Sequence, residues 1–199
     1  MKTIITILIF ALAIISFPLK SYSQVSEQDK KGLIYLLEEE KLAYDLYSEM
    51  YTKYNHRVFG NILQSEKMHQ QHVKDLMDRL GISYEDAAVN TGEFRDKNLQ
   101  VMYNNFLTAG GYSFTDALRA GAMIEENDIK DLRDHYAKTD NESIRQLLEC
   151  LDYASQNHLR AFVRNLERED INYTPKVLSK EDFDLIISSK NNKPGNCLQ

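Results

Sequence analysis

Four stretches of the chain repeat their apolar residues at intervals of three and four, and each predicts a helix: about Glu27 to Tyr54, Val58 to Leu80, Ser113 to Tyr136 and Asn141 to Glu169. Gly81 supplies a stop for the second, and Ser113 with Asp116 three residues on supplies a cap for the third. Between these two lies an insertion, GISYEDAAVNTGEFRDKNL, followed by a shorter helix-like piece from Leu99 to Thr108 that ends at Ala109-Gly110-Gly111. After Asn172 the chain changes character, and residues 173–199 read as an extension laid on the domain formed by residues 24–172. Nothing alternates with the period of a strand. The expectation is an all-α protein, a four-helix bundle with an extra short helix between its second and third helices and a C-terminal extension.

The seams of these helices carry the informative exceptions. In the second helix the three-and-four spacing selects Phe59, Ile62, Glu66, His69, Val73, Leu76 and Leu80, apolar except at Glu66 and His69 in the middle. A bundle helix turns this seam inward, so Glu66 and His69 are expected in the core, one turn apart on one face. The third helix gives Leu118, Ala122, Glu125, Ile129 and Leu132, with Asp128 three residues after Glu125. The fourth gives Ile144, Leu148, Leu151, Ser155, His158 and Phe162, interrupted by a histidine. In the first helix Glu38, Lys41, Asp45 and Ser48 form the polar face, opposite Leu36, Ala43, Tyr47 and Tyr54. Glu39 and Glu40 flank the apolar face on either side, and periodicity does not choose between them.

Composition places the chain among ordinary globular proteins, 43% hydrophobic and 27% charged over 199 residues. Residues 1–23 stand apart: Lys2, an apolar run from Ile4 to Phe17, then Ser21-Tyr22-Ser23, which is the layout of a secretory signal peptide cut after Ser23. Its removal takes away Lys2 and Lys20 and no acid, so the formal charge goes from −6 to −8. An acidic chain of this kind argues against a nucleic-acid surface. Cys150 and Cys197 match no zinc or redox spacing, and export would permit a disulfide between them.

A buried carboxylate costs several kcal/mol unless it is paired, neutralised or bound to metal. Glu-x-x-His alone in a helix usually marks a wet face. Here an inward pair, an inward acid and an inward histidine fall on three different helices, and carboxylates with neutral imidazoles suit iron and manganese. His56, His72 and His135 lie off the seam or in turns and are expected to be solvated, whereas Tyr47 is the tyrosine expected near a site.

These residues resemble the ferritin-like di-iron carboxylate superfamily. In its rubrerythrin branch the first helix carries Glu-x-x-Ala-x-x-x-Tyr, which Glu40, Ala43 and Tyr47 match, so the resemblance selects Glu40 over Glu39. Glu66-x-x-His69 matches the second-helix motif, and Glu125-x-x-Asp128 looks like the paired acids of the third. The strings EEEKLAYDLY, GEF, LQVMYNNF, DALRAGAMIEENDIKDL and NHLRAF resemble the DUF2202 family more closely, over about residues 30–168. The chain departs from the ferritin-like pattern in the fourth helix, where Ala154 and Ser155 stand in place of a glutamate a turn before His158; Asp152 is a stand-in candidate. It also lacks the Cys-x-x-Cys pairs of the rubrerythrin electron relay.

The resemblance implies a ferritin-like four-helix bundle whose metal ligands are Glu40, Glu66, His69, Glu125, Asp128 and His158, holding one or two iron ions, or manganese. The functional expectation is an exported, periplasmic or secreted, metal-binding protein with oxidase- or peroxidase-type chemistry. The alternatives are a bundle that holds metal without turnover, as in iron buffering, and a metal-free interaction module. Expected partners are metal ions and oxygen or peroxide. A homodimer is compatible with this reading; nucleic acid is not expected, nor is a membrane once the leader is removed.

Overall fold

Ser26 opens the first helix with a reciprocal cap: its hydroxyl accepts from the Asp29 amide at 3.0 Å, and the Asp29 carboxylate accepts from the Ser26 amide and hydroxyl. From there the computed structural model describes residues 25–85, 87, 90–189 and 197; the expected leader lies outside them. They form helices α1 (Glu27–Tyr54), α2 (Arg57–Leu80), α3 (Lys97–Gly110), α4 (Phe114–Tyr136), α5 (Glu142–Arg168) and α6 (Lys180–Ser188), with no strand among the described residues. Each start has its own side-chain acceptor: His56, Asp96, Ser113, Asn141 and Ser179 cap α2 to α6. Ser113 caps through the Asp116 amide at 3.1 Å, as its spacing predicts. Gly81 closes α2 at φ 66°, a left-handed conformation open to glycine at little cost.

The four long helices pack in a closed ring, α1 on α2, α2 on α5, α5 on α4 and α4 on α1. Their apolar residues separate into two clusters along the length of the ring. One holds Leu42, Leu46, Met50, Phe59, Ile62, Leu118, Ile124, Phe162 and Leu166; the other holds Leu33, Leu37, Val73, Leu76, Leu132, Ile144, Leu148 and Leu151. Helices α1 and α5 run from the second cluster to the first, and α2 and α4 run the other way. Neighbours in the ring are therefore antiparallel, while α2 and α4 share a direction. The chain must return the length of the molecule between them, which the insertion does: Ile82 and Ala87 belong to one cluster, and Phe94 with Leu99, Tyr103 and Phe106 of α3 to the other.

Burying a large side chain stabilises by about 2 kcal/mol, so two such clusters supply the main folding force. The polar layer between them is where all four seams are interrupted. Cys150 and Cys197 are joined in a disulfide, Cα atoms 5.2 Å apart. No helix among the described residues is long and apolar enough to cross a membrane.

Candidate metal centre

The middle layer gathers Glu40 from α1, Glu66 and His69 from α2, Glu125 from α4 and His158 from α5, all buried. Glu66, 1% exposed, is the hinge of the arrangement. Its Oε2 lies 2.8 Å from His69 Nδ1 and its Oε1 lies 2.8 Å from His158 Nδ1. A second carboxylate converges on the same nitrogen of each imidazole: Glu40 Oε2 is 3.1 Å from His69 Nδ1, and Glu125 Oε2 is 3.5 Å from His158 Nδ1. The result is two triads sharing one residue, Glu40–Glu66–His69 and Glu66–Glu125–His158, in each of which one ligand atom per residue lies within 4.8 Å of the others. The two imidazole rings stack at 5.5 Å.

Orientation matters as much as distance. His158 Nδ1 and Glu66 Oε1 approach closely but off the hydrogen-bonding direction, so that these two atoms and Glu125 Oε2 are buried without a hydrogen-bond partner. Buried polar atoms without partners are uncommon and costly. Three of them converging within one triad is a donor set that a cation would satisfy, and its carboxylate and imidazole chemistry fits iron or manganese.

Burial and mutual pairing act in opposition on the ionisation of these groups. Burial works against ionising Glu66, but His69 and His158 override it and hold its carboxyl below the ordinary range. Burial likewise opposes a charge on His158, and the Glu66 and Glu125 carboxylates reverse this, raising it to about 9. His69 is raised by Glu66 and Glu40 against the same burial. Glu40 is pushed up to about 7, by burial first, with His69 opposing.

Tyr47 stands where a tyrosine was expected near a site. Its hydroxyl donates to Glu125 Oε1 at 2.6 Å, fixing that carboxylate from behind, and Ser65 Oγ lies 3.1 Å from His69 Nε2. Beneath Tyr47 lies Phe162, ring centres 5.3 Å apart, which is pressed so close to Gly121 that a β-carbon there would fall 2.5 Å from the ring. Glycine at 121 is what lets α4 and α5 approach at this level.

Asp128 is buried at 4% exposure but joins neither triad. Burial, then Glu39 and Glu125, push its carboxyl well above the ordinary value. Asp152 is not a stand-in for the absent glutamate: it faces Arg133, Nε to Oδ1 3.2 Å, and Gln156, while Ser155 is the buried residue at that level. Glu39 and Glu40 are both buried, and only Glu40 joins a triad.

The histidines expected in solvent are each partly exposed and partly engaged. His56 caps α2 and packs tilted against Phe114, ring centres 4.7 Å apart; His135 lies against Gly32, with Nε2 3.8 Å from Asp29; and His72 lines a cavity of about 430 Å³ between α2 and α5. That cavity is also lined by His69, His158, Tyr153, Cys150 and Cys197, so it reaches both imidazoles of the middle layer.

The chain belongs to a family defined by an uncharacterized protein domain, DUF2202, whose model matches residues 29–190. Among relatives, it is 42% identical over 165 residues to the uncharacterized protein MJ0754 of Methanocaldococcus jannaschii, covering 83% of this chain and 89% of that one. It is similar to the crystal structure of the hypothetical protein MJ0754 from Methanococcus jannaschii, with a TM-score of 0.81 over 84% of this chain and 96% of that chain.

Proposed function

We propose that this protein is an exported, ferritin-like four-helix bundle that holds iron, or manganese, between Glu40, Glu66, His69, Glu125 and His158. The observation that carries the reading is Glu66, which offers one oxygen to each of two buried histidines. Glu40, Glu66 and His69 would hold one ion, and Glu66, Glu125 and His158 would hold a second. Bound iron or manganese would supply redox chemistry toward oxygen or peroxide. The protein's own part is to keep the layer dry with two apolar clusters, to orient Glu125 through Tyr47, and to admit a small molecule to the two imidazoles through the cavity between α2 and α5.

Ser155, standing where the ferritin-like pattern has a glutamate, favours a second reading: metal is held without turnover. The two readings part on stoichiometry. After anaerobic iron(II) loading and desalting, two irons per chain, lost in Glu66→Ala, His69→Ala, support the di-metal reading and lead to oxygen and peroxide consumption assays. One iron, lost in the same variant, supports the holding role. No iron in either protein removes both.

A further inference from the structure

Beside the middle layer, the α1 and α4 face carries a second group of acids that neither triad uses. Glu39 is 3% exposed, and its Oε1 is buried with no hydrogen-bond partner. The residue lines a cavity of about 390 Å³ that also takes in Tyr35, Asp131, Asp134, Lys31 and Lys138. Asp131 is about a third exposed and accepts from the Tyr35 hydroxyl at 3.2 Å. One wall of the cavity is thus an acid in reach of water, and its floor is an acid shut away from it.

Two features of the setting point to a cation. A buried carboxylate oxygen with no hydrogen-bond partner, on a residue that lines a cavity, is a costly arrangement that an ion or its hydration shell relieves. The group also sits on a path: Asp131 and Asp128 are one turn apart on α4, and Glu39 and Glu40 are neighbours on α1. Asp128 leads inward toward Glu125, and Glu40 is already a member of a triad. In the ring of helices the α1 and α4 face lies opposite the α2 and α5 face, where the other cavity reaches the histidines. The cation paired with Asp131 is not locked in place by burial: Lys130 sits 3.6 Å from Asp131 and 2.7 Å from Asp134 and is half exposed.

We propose that Glu39 and Asp131 form an entry site for a divalent metal cation, which passes from there by Asp128 to the middle layer. Two carboxylates and retained water suit a divalent ion held weakly enough to leave again. The onward passage rests on the metal-site reading above, whereas the entry site does not.

Manganese(II), followed by loss of the free-ion paramagnetic signal, tests the two separately. In Glu66→Ala, His69→Ala the triads are broken, and one manganese per chain should remain, weakened about tenfold by adding either Glu39→Gln or Asp131→Asn. No binding in that background, or binding indifferent to Glu39→Gln, overturns the entry site; Glu39 is then a neutral acid. Equal binding by the unaltered protein and the double variant would sink the triads and leave the entry site standing. Should the double variant not fold, the same two substitutions in the unaltered chain must each remove one weak manganese. In that chain Glu39→Gln should also slow cobalt(II) uptake, read by its visible absorption, about fivefold without changing the final amount. An unchanged rate overturns the passage.

Discussion

Two sets of buried carboxylates in this molecule lie a few residues apart in sequence and behave in opposite ways. Glu126, 0% exposed, accepts from the Tyr173 hydroxyl at 2.5 Å and from the amides of Lys176, Val177 and Leu178 at 2.8 to 3.2 Å. Glu38 accepts from the amides of Arg95 and Asp96, and Asp45 from the Gly92 amide and Lys41. Each of these acids pins a connecting segment that would otherwise bury amides without acceptors, and each is content without an ion. Glu40, Glu66 and Glu125 instead converge in pairs on one nitrogen of each of two imidazoles, and part of their bonding capacity is unused. Burial by itself therefore does not mark a metal ligand. What marks one is burial with donors missing and other ligand atoms close by.

Glu126→Ala should separate the two sets most sharply. It removes the acceptor of three amides and a hydroxyl, with an expected loss of about 4 kcal/mol in urea unfolding and early proteolysis after Lys176. Metal stoichiometry should be unchanged. Glu66→Ala, His69→Ala should do the reverse: manganese at about a hundred times its Kd for the triads raises the stability of the unaltered protein by about 3 kcal/mol, and most of that gain should be lost in the variant, leaving only what the weaker Glu39 and Asp131 site supplies.

Proton linkage gives a further contrast. In the metal-free protein Glu40 rises from 4.5 to about 7 and His158 from 6.5 to about 9, so both hold protons more tightly folded than unfolded. Their contribution is complete below the unfolded values and is lost as the pH rises through 7 and then 9. The melting temperature of metal-free protein should therefore fall by about 10 °C between pH 5 and pH 9, and bound metal should blunt the fall. Tyr47→Phe leaves Glu125 Oε1 without its donor and should lower stability by about 2 kcal/mol. Glu38→Gln, which keeps an acceptor for Arg95 and Asp96, should cost about 1 kcal/mol, seen as faster amide exchange at those two residues.

The periodic parts of this fold were legible because their evidence is local. The limits of α1 agree with the predicted segment, those of α2, α4 and α5 come within one residue at each end, and Glu66, His69, Glu125 and His158 turn inward as their seams require. What sequence spacing missed depends on segments that return from far along the chain. Glu38 and Asp45 look like a wet face until residues 92–96 are laid over them. Glu126 carries no periodic signal for its role, since its partners are backbone amides fifty residues away. Helix α6 buries only Phe183 and Ile186, too few positions for a period to register. Periodicity does not separate Glu39 from Glu40, and both are buried.

Glu125 and Glu126 are consecutive, and a helix turns about 100° between them, so one enters the middle layer while the other grips residues 173–178. Helix α4 is thereby held at both sides of a single peptide bond. Any axial roll that withdrew Glu125 from His158 would also tear Glu126 from its amides. The C-terminal extension acts as a torsional stop, and the rigidity of one wall of the centre is set by a segment that never enters it.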